Sequence, residues 1–156
     1  MLPAIAEQVS AAAFLFVDAG LPRDGASRLD LLATELPEMA AEFRSQLEAG
    51  GRYPEWTDRQ LASVVPDPDA RRGVLDGLRP RTLAFWDEPI PVPVDWPKAP
   101  CAYLQFSSGY DRPAQQAAGR GWPVRRMDGA DHFHLVVDPP AVADSLIDLA
   151  TLCGHD

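Results

Sequence analysis

Residues 100–150 read PCAYLQFSSGYDRPAQQAAGRGWPVRRMDGADHFHLVVDPPAVADSLIDLA, and the order of patterns within them decides the fold. After Pro100, Ala102 to Phe106 is a strand candidate. Asp111 to Arg120 reads as a helix stopped by Gly119 and Gly121, and Val124 to Met127 as a second short strand. Asp138 can cap a last helix with Pro139 at its first position. On that helix Val142, Leu146, Leu149, Ala150 and Cys153 line one side, while Asp144 and Asp148 face away. Strand, helix, strand, loop, helix is the rhythm of a parallel α/β sheet.

Working toward the N-terminus, Ala13 to Val17 (AFLFV) is a short, non-alternating apolar run that closes on Asp18. Such a run predicts a strand buried on both faces. Leu2 to Val9 suggests a short helix, and Leu21 to Gly25 a loop. The next region has helical spacing. Met39, Phe43 and Leu47 fall four apart, Pro37 suits a first turn, and Gly50-Gly51 ends the helix. Thr57-Asp-Arg-Gln60 matches a capping box, with Leu61, Val64 and Val65 after it. Asp67-Pro68 can start another helix carrying Val74, Leu75 and Leu78. Residues 80–100 hold prolines at 80, 89, 91, 93, 97 and 100, which predicts an extended, irregular run. The fold class is therefore α/β: a partial parallel sheet of about three strands with flanking helices. Residues 1–20 and 99–156 form its layer, and residues 21–98 a mostly helical insertion.

The chain has 156 residues, is 46% hydrophobic and carries a net charge of -9, so it can bury a core but offers no basic surface. Nucleic acid and anionic membranes are thereby disfavoured as partners. No apolar run approaches the roughly 20 residues of a membrane span, and MLPAIAEQ lacks the basic-then-apolar order of a signal peptide. Cys101 and Cys153, the only cysteines, form no C-x-x-C pair, so free thiols and a cytoplasmic location are expected.

The chemistry candidates cluster near the ends of the predicted strands, where open α/β sheets bind ligands. His132 follows the second of these strands in a loop with Gly129. Asp111 lies in the loop after the first. A carboxylate there can hold the imidazole tautomer that makes the other ring nitrogen a base; a capping Asp111 with a structurally satisfied His132 is the competing reading. In an extended segment His134 points away from His132. H-x-H with no third placed ligand argues poorly for a metal, and no cofactor is expected. His155 near the terminus carries no argument. A nucleophile is hard to place. Gln105-Phe-Ser-Ser-Gly109 is the nearest approach to G-x-S-x-G, but it lacks the first glycine, which weakens Ser107 and Ser108. Ser10 has no glycine surroundings, and neither cysteine has a basic neighbour to make a thiolate.

These residues are similar to a known family. The run PCAYLQFSSGYDRPAQQAAGRGWPVRRMDGADHFHLVVDPPAVADSL resembles the C-terminal part of the α/β-hydrolase superfamily, most of all its actinobacterial members. FLFVDAGLP resembles the strand and turn before the family's cap, and LEAGGRYPEWTD and LAFWDEPIPVP resemble the cap itself, where Trp56, Phe85 and Trp86 could line a pocket. The resemblance implies that His132 is the triad histidine and Asp111 the triad acid, with Asp18 as the alternative acid. The usual G-G-H is Ala130-Asp131-His132 here. The resemblance also implies that the nucleophile elbow and oxyanion loop precede FLFVD, so the chain carries cap, acid and base without the serine. Ester or amide hydrolysis is then expected only when that half is supplied. A bare edge on FLFVD would recruit another copy or a complementing N-terminal half. The alternatives are a pseudoenzyme that binds a small molecule, and an Asp/His acid–base enzyme that uses no serine.

Overall fold

The computed structural model describes residues 2–6 and 8–154, which divide into two compact units: residues 1–22 with 91–156, and residues 23–90. The first unit contains α1 (Leu2–Ala6), β1 (Phe14–Val17), β2 (Cys101–Gln105), α7 (Asp111–Gly119), β3 (Val124–Arg126), α8 (His134–Val137) and α9 (Pro139–Cys153). The second contains α2 (Arg28–Glu35), α3 (Pro37–Glu48), α4 (Asp58–Leu61), α5 (Pro68–Gly77) and α6 (Leu83–Trp86).

The sheet is three-stranded and parallel in the order β1-β2-β3. Phe14 stands opposite Cys101 and Val17 opposite Leu104, while Tyr103 stands opposite Val124. Proline precedes two of the pairings without weakening them, because only its carbonyl is used. Phe14 N–H donates to Pro100 O at 2.9 Å, and Tyr103 N–H donates to Pro123 O at 2.9 Å.

Strand alternation sorts the core into two layers. On one face Phe14, Phe16, Cys101 and Tyr103 pack with Ala114 and Ala117 of α7, with Leu2 and Ala6 of α1 alongside. On the other, Ala102, Leu104 and Phe106 pack with Val142, Leu149 and Cys153 of α9, with Leu15 and Val17 partly buried there. β2 is buried along its whole length, as the middle strand of a covered parallel sheet must be. Leu104 is fully enclosed, so its replacement by alanine would cost about 2–5 kcal/mol. On α9, Ser145 takes a buried place and Ala150 is exposed, so the apolar stripe runs through 142, 145, 149 and 153, with Leu146 half-buried.

In the second unit the apolar stripe of α3 begins at Ala40, one residue after the expected Met39, and keeps Phe43 and Leu47. Ala40 and Leu47 are buried and Met39 is more than half exposed. The spacing 40-43-47 keeps one face at 100° per residue, whereas 39 to 47 drifts by most of a quarter turn. α2 has its own start signal in Ser27-x-x-Asp30, whose side chains cap each other's backbone. A short helix, α6, also forms inside the proline-rich run: none of residues 81–88 is proline, and that gap is long enough for one turn. Phe43, Tyr53 and Trp86 meet edge to face around it, with ring centroids 5.0–5.6 Å apart. Gly51 is required by space, because a Cβ there would lie 2.7 Å from the Gln46 carbonyl oxygen.

Candidate active site

β1 runs directly into Asp18, whose φ of +41° places it in the left-handed region. Aspartate visits that region more readily than most residues, at a cost of roughly 1–3 kcal/mol. The turn buries its carboxylate to 1% exposure beside the end of β2. One oxygen, Oδ1, accepts from the backbone N–H of Phe106 at 2.9 Å and of Ser107 at 3.0 Å. The other, Oδ2, accepts from the Ser107 hydroxyl at 3.0 Å and faces His132 Nδ1 at 3.0 Å. Burial, the largest influence, pushes this carboxyl's pKa up. The bonds from His132, Phe106 and Ser107 together outweigh it and hold the group below the ordinary aspartate value.

His132 reaches Asp18 from the loop after β3. Gly129 takes φ +77° at the turn, and Asp131 fixes the next residues: its carboxylate accepts from Phe133 N–H at 2.8 Å and its carbonyl from His134 N–H at 2.9 Å. The carboxylate beside the histidine is thus a turn former. Tyr110 lies flat on the His132 ring, with centroids 5.4 Å apart and planes 12° apart. The imidazole is 52% exposed, against 1% for its aspartate partner. An ionised carboxylate only accepts, so the proton of the neutral ring belongs on Nδ1 and the lone pair on Nε2. Among the described residues nothing hydrogen-bonds to Nε2. The result is an imidazole oriented through Nδ1, with Nε2 open.

Asp111 lies elsewhere. Between the end of β2 and the start of α7 the chain makes one 3-10 turn, Ser108–Tyr110. This carries Asp111 past the end of β2 to the first turn of α7, where its carboxylate accepts from the Gln105 amide and from Arg126 at 3.0 Å. Arg126 also pairs with Asp128 at 3.5 Å. The expected bond between Asp111 and His132 is therefore not made; Asp18, the second choice, holds the ring. Its position immediately after the strand gives it the shorter reach.

The remaining candidates separate cleanly. Ser107 donates its hydroxyl to Asp18, Ser108 is exposed, and neither bonds to His132. Ser10 is also exposed. Cys101 and Cys153 are buried and not joined in a disulfide, and burial, then the neighbouring Cys153 thiol, raises Cys101 to about 11, far from a thiolate at neutral pH. His134 does not continue an extended segment; it opens α8 and its ring meets Phe106 at 5.7 Å. His155 lies outside the described residues. Among the described residues no three His, Cys, Asp or Glu side chains converge on a metal position, and no helix is long and apolar enough to cross a membrane. Sequence reasoning missed the two N–H groups of Phe106 and Ser107. Their signal was the Ser-Ser-Gly run, a flexible post-strand loop that can turn its backbone donors toward a carboxylate.

No protein-family model matches the chain. A stretch of 86 residues, 53% of the chain, is 31% identical to the large ribosomal subunit protein bL9m of Neurospora crassa; the match covers 29% of that protein, so the chain spans under a third of this curated relative. The likeness in three dimensions is far more extensive. An extracellular α/β-hydrolase from a Paenibacillus species, described as sharing structural and functional homology with tobacco salicylic acid binding protein 2, superposes on 99% of this chain and 67% of its own. The TM-score is 0.66 and the identity 17%. At that identity the likeness shows the fold alone: the chain is α/β, with a three-stranded parallel sheet and flanking helices like those of an α/β-hydrolase.

Proposed function

We propose that this chain carries the acid–base half of a hydrolase acting on an ester or amide, with His132 as general base and Asp18 as the acid that orients it. One observation supports this above the others: a buried carboxylate bonded to Nδ1 of a half-exposed imidazole whose Nε2 has no partner among the described residues. In turnover Nε2 would take the proton of a hydroxyl nucleophile, return it to the leaving group, and then activate water. Asp18 would fix the tautomer and stabilise the imidazolium as it forms. The nucleophile and the oxyanion donors are assigned to a segment outside this sequence, in the same protein or on a partner.

The sheet supports such a partner. Among the described residues β1 pairs only with β2, leaving its other edge for a strand of a complementing half or of a second copy. Light scattering behind size exclusion should show an oligomer or a complex; a stable, soluble monomer would remove this part. On this reading residues 23–90 correspond to the family's cap.

The test is labelling with a fluorophosphonate, which reacts only with an activated serine, together with p-nitrophenyl ester turnover. The chain alone should be unlabelled and nearly inactive. The complemented protein should label and turn over, and His132→Ala should abolish both. Full turnover in the complemented His132→Ala protein would remove the assignment. Binding of a small molecule without turnover in the complemented wild type would leave a non-catalytic binding module.

A further inference from the structure

Tyr103 is fully buried in the middle of β2, among Phe14, Phe16, Leu21 and Cys101. Phenylalanine would fill the same space in this apolar cluster, so the hydroxyl needs its own explanation. It donates to the Ala19 carbonyl at 2.7 Å and accepts from the Ala19 N–H at 3.0 Å. One side-chain oxygen thereby occupies both main-chain polar groups of the residue that follows Asp18. The arrangement matters because Asp18 holds a positive φ, and its carboxylate meets four donors only while that turn is fixed. From outside, the N–H of Asp18 is held by Leu104 O at 2.8 Å. The turn is thus tied to β2 on both sides, by backbone before the strain and by the Tyr103 hydroxyl after it.

We propose that Tyr103 is a positioning residue: its hydroxyl locks the left-handed turn at Asp18–Ala19 and so sets the bond between Asp18 and His132. This rests on the reading of that pair as acid and base, and the experiment separates the two.

The whole chain labelled with 15N-histidine reports the tautomer of each ring, and its three histidines are few enough to assign. In its neutral form the wild-type His132 ring should carry its proton on Nδ1, with a downfield, slowly exchanging signal. Asp18→Asn should lose that proton signal. Tyr103→Phe, with its sheet amides still dispersed, should lose or broaden it and give mixed tautomers. In the Asp18→Asn background Tyr103→Phe should change nothing more, a result that a general loosening of the core would not give. A Tyr103→Phe protein whose His132 signals match wild type overturns the inference. An unchanged ring in Asp18→Asn would instead overturn the acid–base reading. Should Tyr103→Phe fail to fold, amide exchange in the wild type decides. The Ala19 N–H should be protected as well as that of Asp18, and exchange at the rate of an open loop would overturn the proposal.

Discussion

Asp18 and Asp111 follow neighbouring parallel strands on the same edge of one sheet, yet they live in opposite environments. Asp18 is buried, accepts two backbone N–H groups and a hydroxyl, and has no arginine among its bonded partners. Asp111 is half exposed and tied to Arg126. A guanidinium beside a carboxylate already neutralises it, so little of its charge is left to act on an imidazole. Backbone dipoles stabilise the Asp18 anion without cancelling its formal charge, leaving the histidine as its only ionisable bonded partner among the described residues. The difference shows that a position after a strand does not make an acid; its counter-charges decide.

The sharpest way to break this contrast is activity in the complemented protein. Asp18→Asn should lower kcat by about 10⁴-fold, because the asparagine amide favours the wrong imidazole tautomer. Asp111→Asn should cost less than about tenfold, in line with a charge held at the surface. Ester turnover measures both, and the reverse order would hand the acid's role back to Asp111.

Stability should differ in the same sense. Asp18→Ala leaves two backbone N–H groups short of an acceptor and asks alanine to hold a positive φ; about 2–4 kcal/mol should be lost in urea unfolding. Asp111→Ala should cost about 1 kcal/mol or less. Equal losses would mean that the two corners are equally structural.

The acid limb of the stability curve sharpens the comparison further. Asp18 has a folded pKa below the ordinary 3.8, so the unfolded chain binds its proton first as the pH falls. Its contribution is complete above the unfolded value and is lost as the pH drops through the folded one. Urea midpoints from pH 5 to pH 2 should therefore fall more steeply in wild type than in Asp18→Asn. Parallel curves would show that the carboxylate is not differentially stabilised.

The smallest effect belongs to Arg126→Gln. Its two ion pairs lie at the surface, so stability should shift by about 0.5 kcal/mol and the His132 ring signals should stay in place. Movement of those signals would mean that the two corners are coupled.

The sheet was legible because its signals are local. One apolar run, two further short strand candidates, their proline and glycine punctuation and the capped last helix needed only period and composition. The helices between residues 23 and 90 were legible where a capping box or Asp-Pro marked them, but Ser27-x-x-Asp30 has Asp in place of the usual Glu or Gln, and the stripe of α3 starts at Ala40, not Met39. The loop position of His132 was legible because a glycine turn after a strand presents it.

What the amino-acid order determined by itself was the α/β rhythm of strands and helices, with a short list of candidates for acid–base work. Only the tertiary structure decided which carboxylate meets the imidazole. That choice turns on a left-handed backbone at Asp18, on two N–H groups 88 and 89 residues away, and on an arginine from β3 that claims Asp111. Partners so distant along the chain leave no periodic trace, because they become neighbours only when the parallel strands align their ends.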